Sequence, residues 1–237
     1  MLSSETINSI LNYATANISS NIIGYIIGGS YQSNSADELS DVDLIIYTEK
    51  LNYNVEGIYQ VYDHNNQIMI DIIVRDIQTL VTKDIFSIYG YQGQTYYAIA
   101  TTPITDIFKL QPELPNNWLQ VQQIIKQYKS FWIHCTLKGY MTVVNNFIKS
   151  DKINMSKEDT KKIACLCNIY NKEFETLYSP ETLIKIKRNK LTELSADTID
   201  SIKKTLIKLI STYFIYNLDT EFNTFTEVEK ELAKVWK

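Results

Sequence analysis

Apolar residues run almost without a break from Ile22 to Ile27, stop at Gly28-Gly29-Ser30, and return in alternation after Asp41, with Val42, Leu44 and Ile46 on one side and Asp41 and Asp43 on the other. A run, a glycine turn and a two-residue period predict strand, tight turn, short helix and strand, the second strand covering 41–48. Upstream, Ile7, Ile10, Leu11 and Ala14 recur at helical spacing and predict an amphipathic helix over about 4–16. Downstream, 57–62 and 67–74 flank Asp63-His64-Asn65-Asn66 and read as a β-hairpin, with Asp63 and His64 as solvated turn residues. Asp76 is a candidate cap for a helix to about Ile88, with Leu80, Val81 and Ile85 inward, and 96–100 is a candidate further strand.

Pro103, Pro112 and Pro115 interrupt the pattern within a short span and predict a linker, dividing a domain at 1–111 from one at 112–237. Beyond it the period becomes helical. Val121, Ile124, Tyr128, Phe131 and Cys135 form one stripe of a long helix over about 117–150. Ser156 is a predicted cap of a second helix, Pro180 opens a third, and 196–217 and 226–236 supply two more. The expected class is α+β: a mixed sheet followed by a helical bundle.

Composition adds three points. Hydrophobic residues make up 45% and charged residues 21%, which is ordinary for a globular chain. Neither a leader at the first residues nor an apolar run long enough to span a bilayer is visible, so the expectation is a cytoplasmic protein with no membrane partner. Cys135, Cys165 and Cys167 lack the spacing of a zinc site or disulfide framework and read as small buried residues. Charge is uneven, however. Residues 1–111 hold 12 Asp and Glu against 4 Lys and Arg, a net of −8, whereas 112–237 hold 15 against 19, a net of +4. An acidic first half disfavours a nucleic-acid partner and suits metal ions or a cationic small molecule.

The chemistry lies in the first half. Two residues apart in a strand, Asp41 and Asp43 share a face, and paired carboxylates call for a cation beside them. Hard oxygen ligands on a rigid strand suit Mg²⁺, which completes its shell with water and substrate phosphate. Gly29 and Ser30 let the backbone turn sharply and approach a ligand, with helix-start amides available to an anion. Asp71 stands in mid-strand between Ile70 and Ile72, a place a carboxylate occupies when it faces a site. Each piece also has an ordinary reading, as the wet face of a half-buried strand or a plain turn.

In this order, an apolar strand, Gly29-Ser30, then Asp41-Val42-Asp43 in a second strand and Asp71 in a later one, the first hundred residues resemble the DNA polymerase β-like nucleotidyltransferase superfamily. The sheet-then-bundle order is similar to that of the small-molecule, aminoglycoside-type enzymes. That resemblance implies transfer of a nucleoside monophosphate, AMP from ATP or its equivalent from another NTP, to a hydroxyl of a small molecule. Asp41 and Asp43 would hold two Mg²⁺ ions and Asp71 the one facing the acceptor, or Asp71 would act as general base if no metal lies beside it. Gly29 and Ser30 would hold the β and γ phosphates. Some aminoglycoside enzymes carry a glutamate base and a phosphate-binding lysine four residues apart on the first helix of the helical domain. Here His134 and Lys138 have that spacing, with His134 standing in place of the glutamate. A His and a Lys on a helix flank are also ordinary polar surface. Two alternatives stay open: a protein adenylyltransferase such as a toxin-neutralising antitoxin, and a non-catalytic nucleotide-binding module.

Overall fold

A computed structural model describes residues 3–16, 18–32, 35–51, 58–77, 89–102, 116–150 and 155–235. The chain forms two compact units that interleave in sequence: Met1–Asp84 with Tyr97–Tyr128 and Thr224–Lys237, and Ile85–Tyr96 with Lys129–Asn223. The boundary expected near residue 112, the prolines around it and the helix expected up to Ile88 lie outside the described residues.

The first unit begins with helix α1 (Ser4–Thr15), where the Ser3 hydroxyl accepts the Thr6 N–H as an N-cap. Strands β1 (Ile22–Ile27), β2 (Val42–Thr48), β3 (Ile58–Asp63) and β4 (Ile68–Asp76) form one mixed sheet in the order β1-β2-β4-β3. β2 lies antiparallel to β1 and parallel to β4, and β3 closes the edge antiparallel to β4. The sheet and the helical remainder agree with the α+β expectation. On one face Val42, Leu44, Ile46, Ile70, Ile72 and Val74 pack with Ile7, Ile10 and Leu11 of α1. Full burial of such side chains contributes about 1.5–3 kcal/mol each, so the two-residue period of β2 and β4 sets which face turns inward. The opposite face is apolar where the strands end: Tyr47 is buried with its ring 4.9 Å from that of Trp118.

The β3–β4 turn is held by Asp63, which is not a solvated turn residue but fully buried. Its carboxylate accepts the backbone N–H groups of Asn65 (2.9 Å) and Asn66 (3.3 Å), the Asn66 side-chain amide (2.7 Å) and the Ser9 hydroxyl (3.3 Å). Burial pushes the Asp63 carboxyl up, but these hydrogen bonds outweigh it and hold the group below its usual range. Asp76 ends β4 buried, its Oδ2 accepting the Leu51 N–H at 3.2 Å.

Residues 96–100, read as a strand, instead belong to helix α3 (Tyr89–Thr101). All five are buried, and a continuous apolar run carries no period with which to tell a buried helix from a strand. The helix expected over 117–150 is two: α4 (Asn116–Gln127) and α5 (Lys129–Lys149). They break at Tyr128, whose N–H donates to the Ile125 carbonyl three residues back (3.1 Å), a tightened turn that ends α4. α4 stays with the sheet unit, where buried Gln122 donates to the carbonyls of Ile99 (3.1 Å) and Thr102 (2.8 Å) at the end of α3.

The second unit contains α5, α6 (Lys157–Glu173), α7 (Pro180–Lys187), a short 3₁₀ turn (Leu191–Glu193), α8 (Ala196–Tyr213) and the first turn of α9 (Leu218–Val235). Ser156, Ser179 and Ser195 cap α6, α7 and α8, each accepting a backbone N–H three residues on. Such caps contribute about 1 kcal/mol each. α3 meets α5 at Gly93, where a Cβ would lie 2.7 Å from the Thr136 nitrogen, and Tyr96 stacks on Trp132 at 4.1 Å. The three cysteines are free, and burial pushes their thiols up, that of Cys165 to about 12. No described helix is long and apolar enough to cross a membrane.

Candidate functional site

Backbone pairing lines up one row of residues across β2, β4 and β3 and the residue that follows β1. The Gly28 N–H, just past β1, donates to the Asp43 carbonyl at 2.7 Å. Asp43 is the direct partner of Asp71 in the parallel β2–β4 pair, and Asp71 is the direct partner of Gln60 in the antiparallel β4–β3 pair. Neighbouring strands run about 4.8 Å apart, so directly paired residues present their side chains side by side. The alternation that buries Val42, Leu44, Ile70 and Ile72 puts Asp43 and Asp71 together on the other face. Both carboxylates are only half-buried.

Helix α2 (Gly29–Gln32) begins directly against this row. Gly29 has a left-handed φ of +59°, and a Cβ there would overlap the Asp43 Oδ2. Only glycine permits this approach without strain. The far end of α2 is tied down by Gln32, whose amide donates to the Thr102 hydroxyl at 2.9 Å. Leading into β2 is a tight turn in which Asp37 Oδ1 accepts the Leu39 N–H (3.1 Å) and the Ser40 hydroxyl (2.8 Å). Asp41 follows, half-buried and just outside the strand. Burial, then the charges of Asp37 and Asp41, push the Tyr31 hydroxyl up, which places Asp41 within electrostatic reach of that ring.

Among the described residues no three His, Cys, Asp or Glu side chains gather closely enough to hold a metal ion. Asp41, Asp43 and Asp71 thus do not form one such cluster. Asp43 and Asp71 still fit a divalent ion: they are hard oxygen donors at one register position on rigid strands, and Mg²⁺ typically takes one or two carboxylates and fills its shell with water and phosphate oxygen. A further partner, absent from the sequence reading, is Gln60, whose Nε2 donates to Asp71 Oδ1 at 2.7 Å. The hairpin contains the signal that could have found it: with Asp63 opposite Ile68, counting back three and forward three brings Gln60 opposite Asp71.

His134 and Lys138 belong to the second unit. His134 is fully buried, and both ring nitrogens are engaged: Nδ1 lies 3.2 Å from the Tyr213 carbonyl and Nε2 2.6 Å from Glu221 Oε1. A carbonyl only accepts, so Nδ1 carries a proton. The Lys138 ammonium takes the other oxygen of Glu221 at 2.5 Å. In this arrangement His134 has no ring nitrogen left for the work of a base. Its ring stacks on that of Phe214 at 4.9 Å and lies tilted to that of Tyr216 at 5.0 Å. Glu221 is 87 positions from His134, and no local pattern announces the pairing.

Comparison with known families agrees with the sheet half of this description. Residues 10–90 match a family described as nucleotidyltransferase domain, of the polymerase β-like superfamily. No curated protein matches the chain.

Proposed function

From the premise that this chain is a nucleotidyltransferase, with its nucleotidyltransferase domain at residues 10–90, we propose that it moves AMP from ATP to a hydroxyl of a cationic small molecule of the aminoglycoside type. The observation that carries the reading is the register of Asp43 against Asp71, with the Gly29 backbone pressed to Asp43. Asp43 and Asp71 would hold Mg²⁺, with Asp41 as a further candidate ligand. A divalent ion held there would help neutralise negative charge on the phosphoryl oxygens. We assign Asp71 to the acceptor side, where it would orient the hydroxyl; with no metal beside it, it would instead act as the general base. The Gly29 and Ser30 amides offer donors to the β and γ phosphates. His134 and Lys138 we assign to holding Glu221, because their polar atoms are already committed there.

The class of acceptor rests on charge. The −8 of residues 1–111 repels a polyanion and attracts amines, which gain charge-assisted hydrogen bonds to carboxylates. A panel of aminoglycosides and lincosamides, each incubated with the four NTPs, is expected to yield a nucleotidyl adduct by mass spectrometry, with kcat/KM falling as ionic strength rises. If the panel stays unmodified while a co-expressed protein is adenylylated, the acceptor is a protein and the small-molecule assignment is wrong.

Gly29→Ala tests the phosphate-side geometry. A left-handed alanine costs about 1–2 kcal/mol, and its methyl pushes the Asp43 carboxylate aside; a misplacement of that size lowers rate on the order of a hundredfold. Steady-state kinetics with a melting curve would reveal it, and a wild-type rate would mean Asp43 has no need of its observed place.

A further inference from the structure

We infer that Gln60 is a positioning residue for Asp71, holding that carboxylate in the orientation in which its second oxygen is offered toward Asp43. The inference rests on the reading of Asp71 as a site carboxylate. Three observations carry it. Gln60 and Asp71 are direct partners in the β3–β4 ladder, so their side chains rise from the same face. The Gln60 Nε2 donates to Asp71 Oδ1 at 2.7 Å, a short bond to a charged acceptor. Asp43 flanks Asp71 at the same register on the other side, which completes the order Asp43, Asp71, Gln60 across adjacent strands. A carboxylate with one oxygen hydrogen-bonded to an amide is restrained in its rotation, and its other oxygen still shares the carboxylate charge that a cation beside Asp43 would meet. Without the amide, two neighbouring carboxylates would turn apart to lessen their repulsion. Partners behind metal ligands act in this way, and their loss lowers metal affinity although they never touch the ion.

β3 is an edge strand and Gln60 is exposed, so the residue can be changed without loss of core. Gln60→Met keeps the length and removes the donor. The experiment measures Mn²⁺ affinity of the full chain by electron paramagnetic resonance, together with kcat, KM for nucleotide and the melting temperature, in Gln60→Met, Asp71→Asn and the double variant. Gln60→Met is expected to weaken Mn²⁺ binding and to lower kcat each roughly ten- to hundredfold, with nucleotide KM within about twofold and an unchanged melting temperature. On the Asp71→Asn background it is expected to add nothing, because its effect passes through Asp71. Wild-type Mn²⁺ affinity in Gln60→Met beside a weakened Asp71→Asn would overturn the inference and leave the proposed function standing. An equal loss on both backgrounds would also overturn it, since Gln60 would then act by another route. If Asp71→Asn itself binds Mn²⁺ and turns over normally, the role of Asp71 in the proposed function fails, and the inference with it.

Discussion

Asp43→Asn is expected to abolish nucleotidyl transfer while leaving the fold intact. Asp43 stands between Gly28 and Asp71 in the row: its carbonyl accepts the Gly28 N–H, its side chain lies against Gly29, and its neighbour across the parallel ladder is Asp71. An amide of the same shape fills the same space beside Gly29 but offers one oxygen and no charge. A divalent ion contributes several kcal/mol to stabilising charge in a phosphoryl transition state, and each 1.36 kcal/mol is a factor of ten in rate, so the loss should reach about a thousandfold or more. Removing a charge from a crowded carboxylate face does not weaken the core beneath, where Val42 and Leu44 are fully buried. Circular dichroism and the melting temperature should therefore match the unaltered protein. Substantial turnover in Asp43→Asn, measured as pyrophosphate release with an acceptor that the unaltered protein modifies, would remove this residue from the site.

The second large effect belongs to stability. Glu221→Ala is expected to destabilise the helical unit by about 3–5 kcal/mol, the usual cost of removing one partner of a buried ion pair. Glu221 is 3% exposed and lies between His134 Nε2 and the Lys138 ammonium, one to each carboxylate oxygen. With Nδ1 committed as a donor to the Tyr213 carbonyl, one proton must lie between Nε2 and Oε1, while the Lys138 ammonium holds the other carboxylate oxygen. Deleting the carboxylate leaves a buried imidazole and an ammonium facing the gap, and loosens the first turn of α9 from α5. Glu221→Gln keeps the shape and one acceptor, so it should cost less. Denaturant unfolding of the three proteins gives the order directly. A change below about 1 kcal/mol for Glu221→Ala, the range of an exposed ion pair, would show that the cluster holds nothing together.

Local chemistry accounts for much of what was legible in the chain. Alternation at Val42, Leu44 and Ile46 and at Ile70, Ile72 and Val74 had to become strands with one wet face, because a shift of one residue would bury Asp43 and Asp71 in place of the core. Ser156 and Pro180 marked helix starts because caps act within a single turn. The catalytic candidates Asp43 and Asp71 and the glycine before them were visible for the same reason: spacing along a strand decides a face without knowledge of the fold. Where the period vanished, inference failed. Residues 96–100 are buried throughout, so nothing in their order separates helix from strand. The stripe through Tyr128 continues, yet the helix breaks there and its two parts join different units, which periodicity alone does not reveal. Asp63 has the composition of a wet turn and is a buried acceptor, because Ser9 of α1 comes to meet it from 54 positions away. So it is with the remaining polar partners. By itself the sequence determined the four strands of the sheet, the faces of β2 and β4 and the carboxylates they carry, since these depend on neighbours two to four residues apart. Only the tertiary structure decided that Gln60 holds Asp71 and that Glu221 joins His134 to Lys138, because these contacts exist once distant backbone segments pair, and burial then makes the hydrogen bonds they form obligatory.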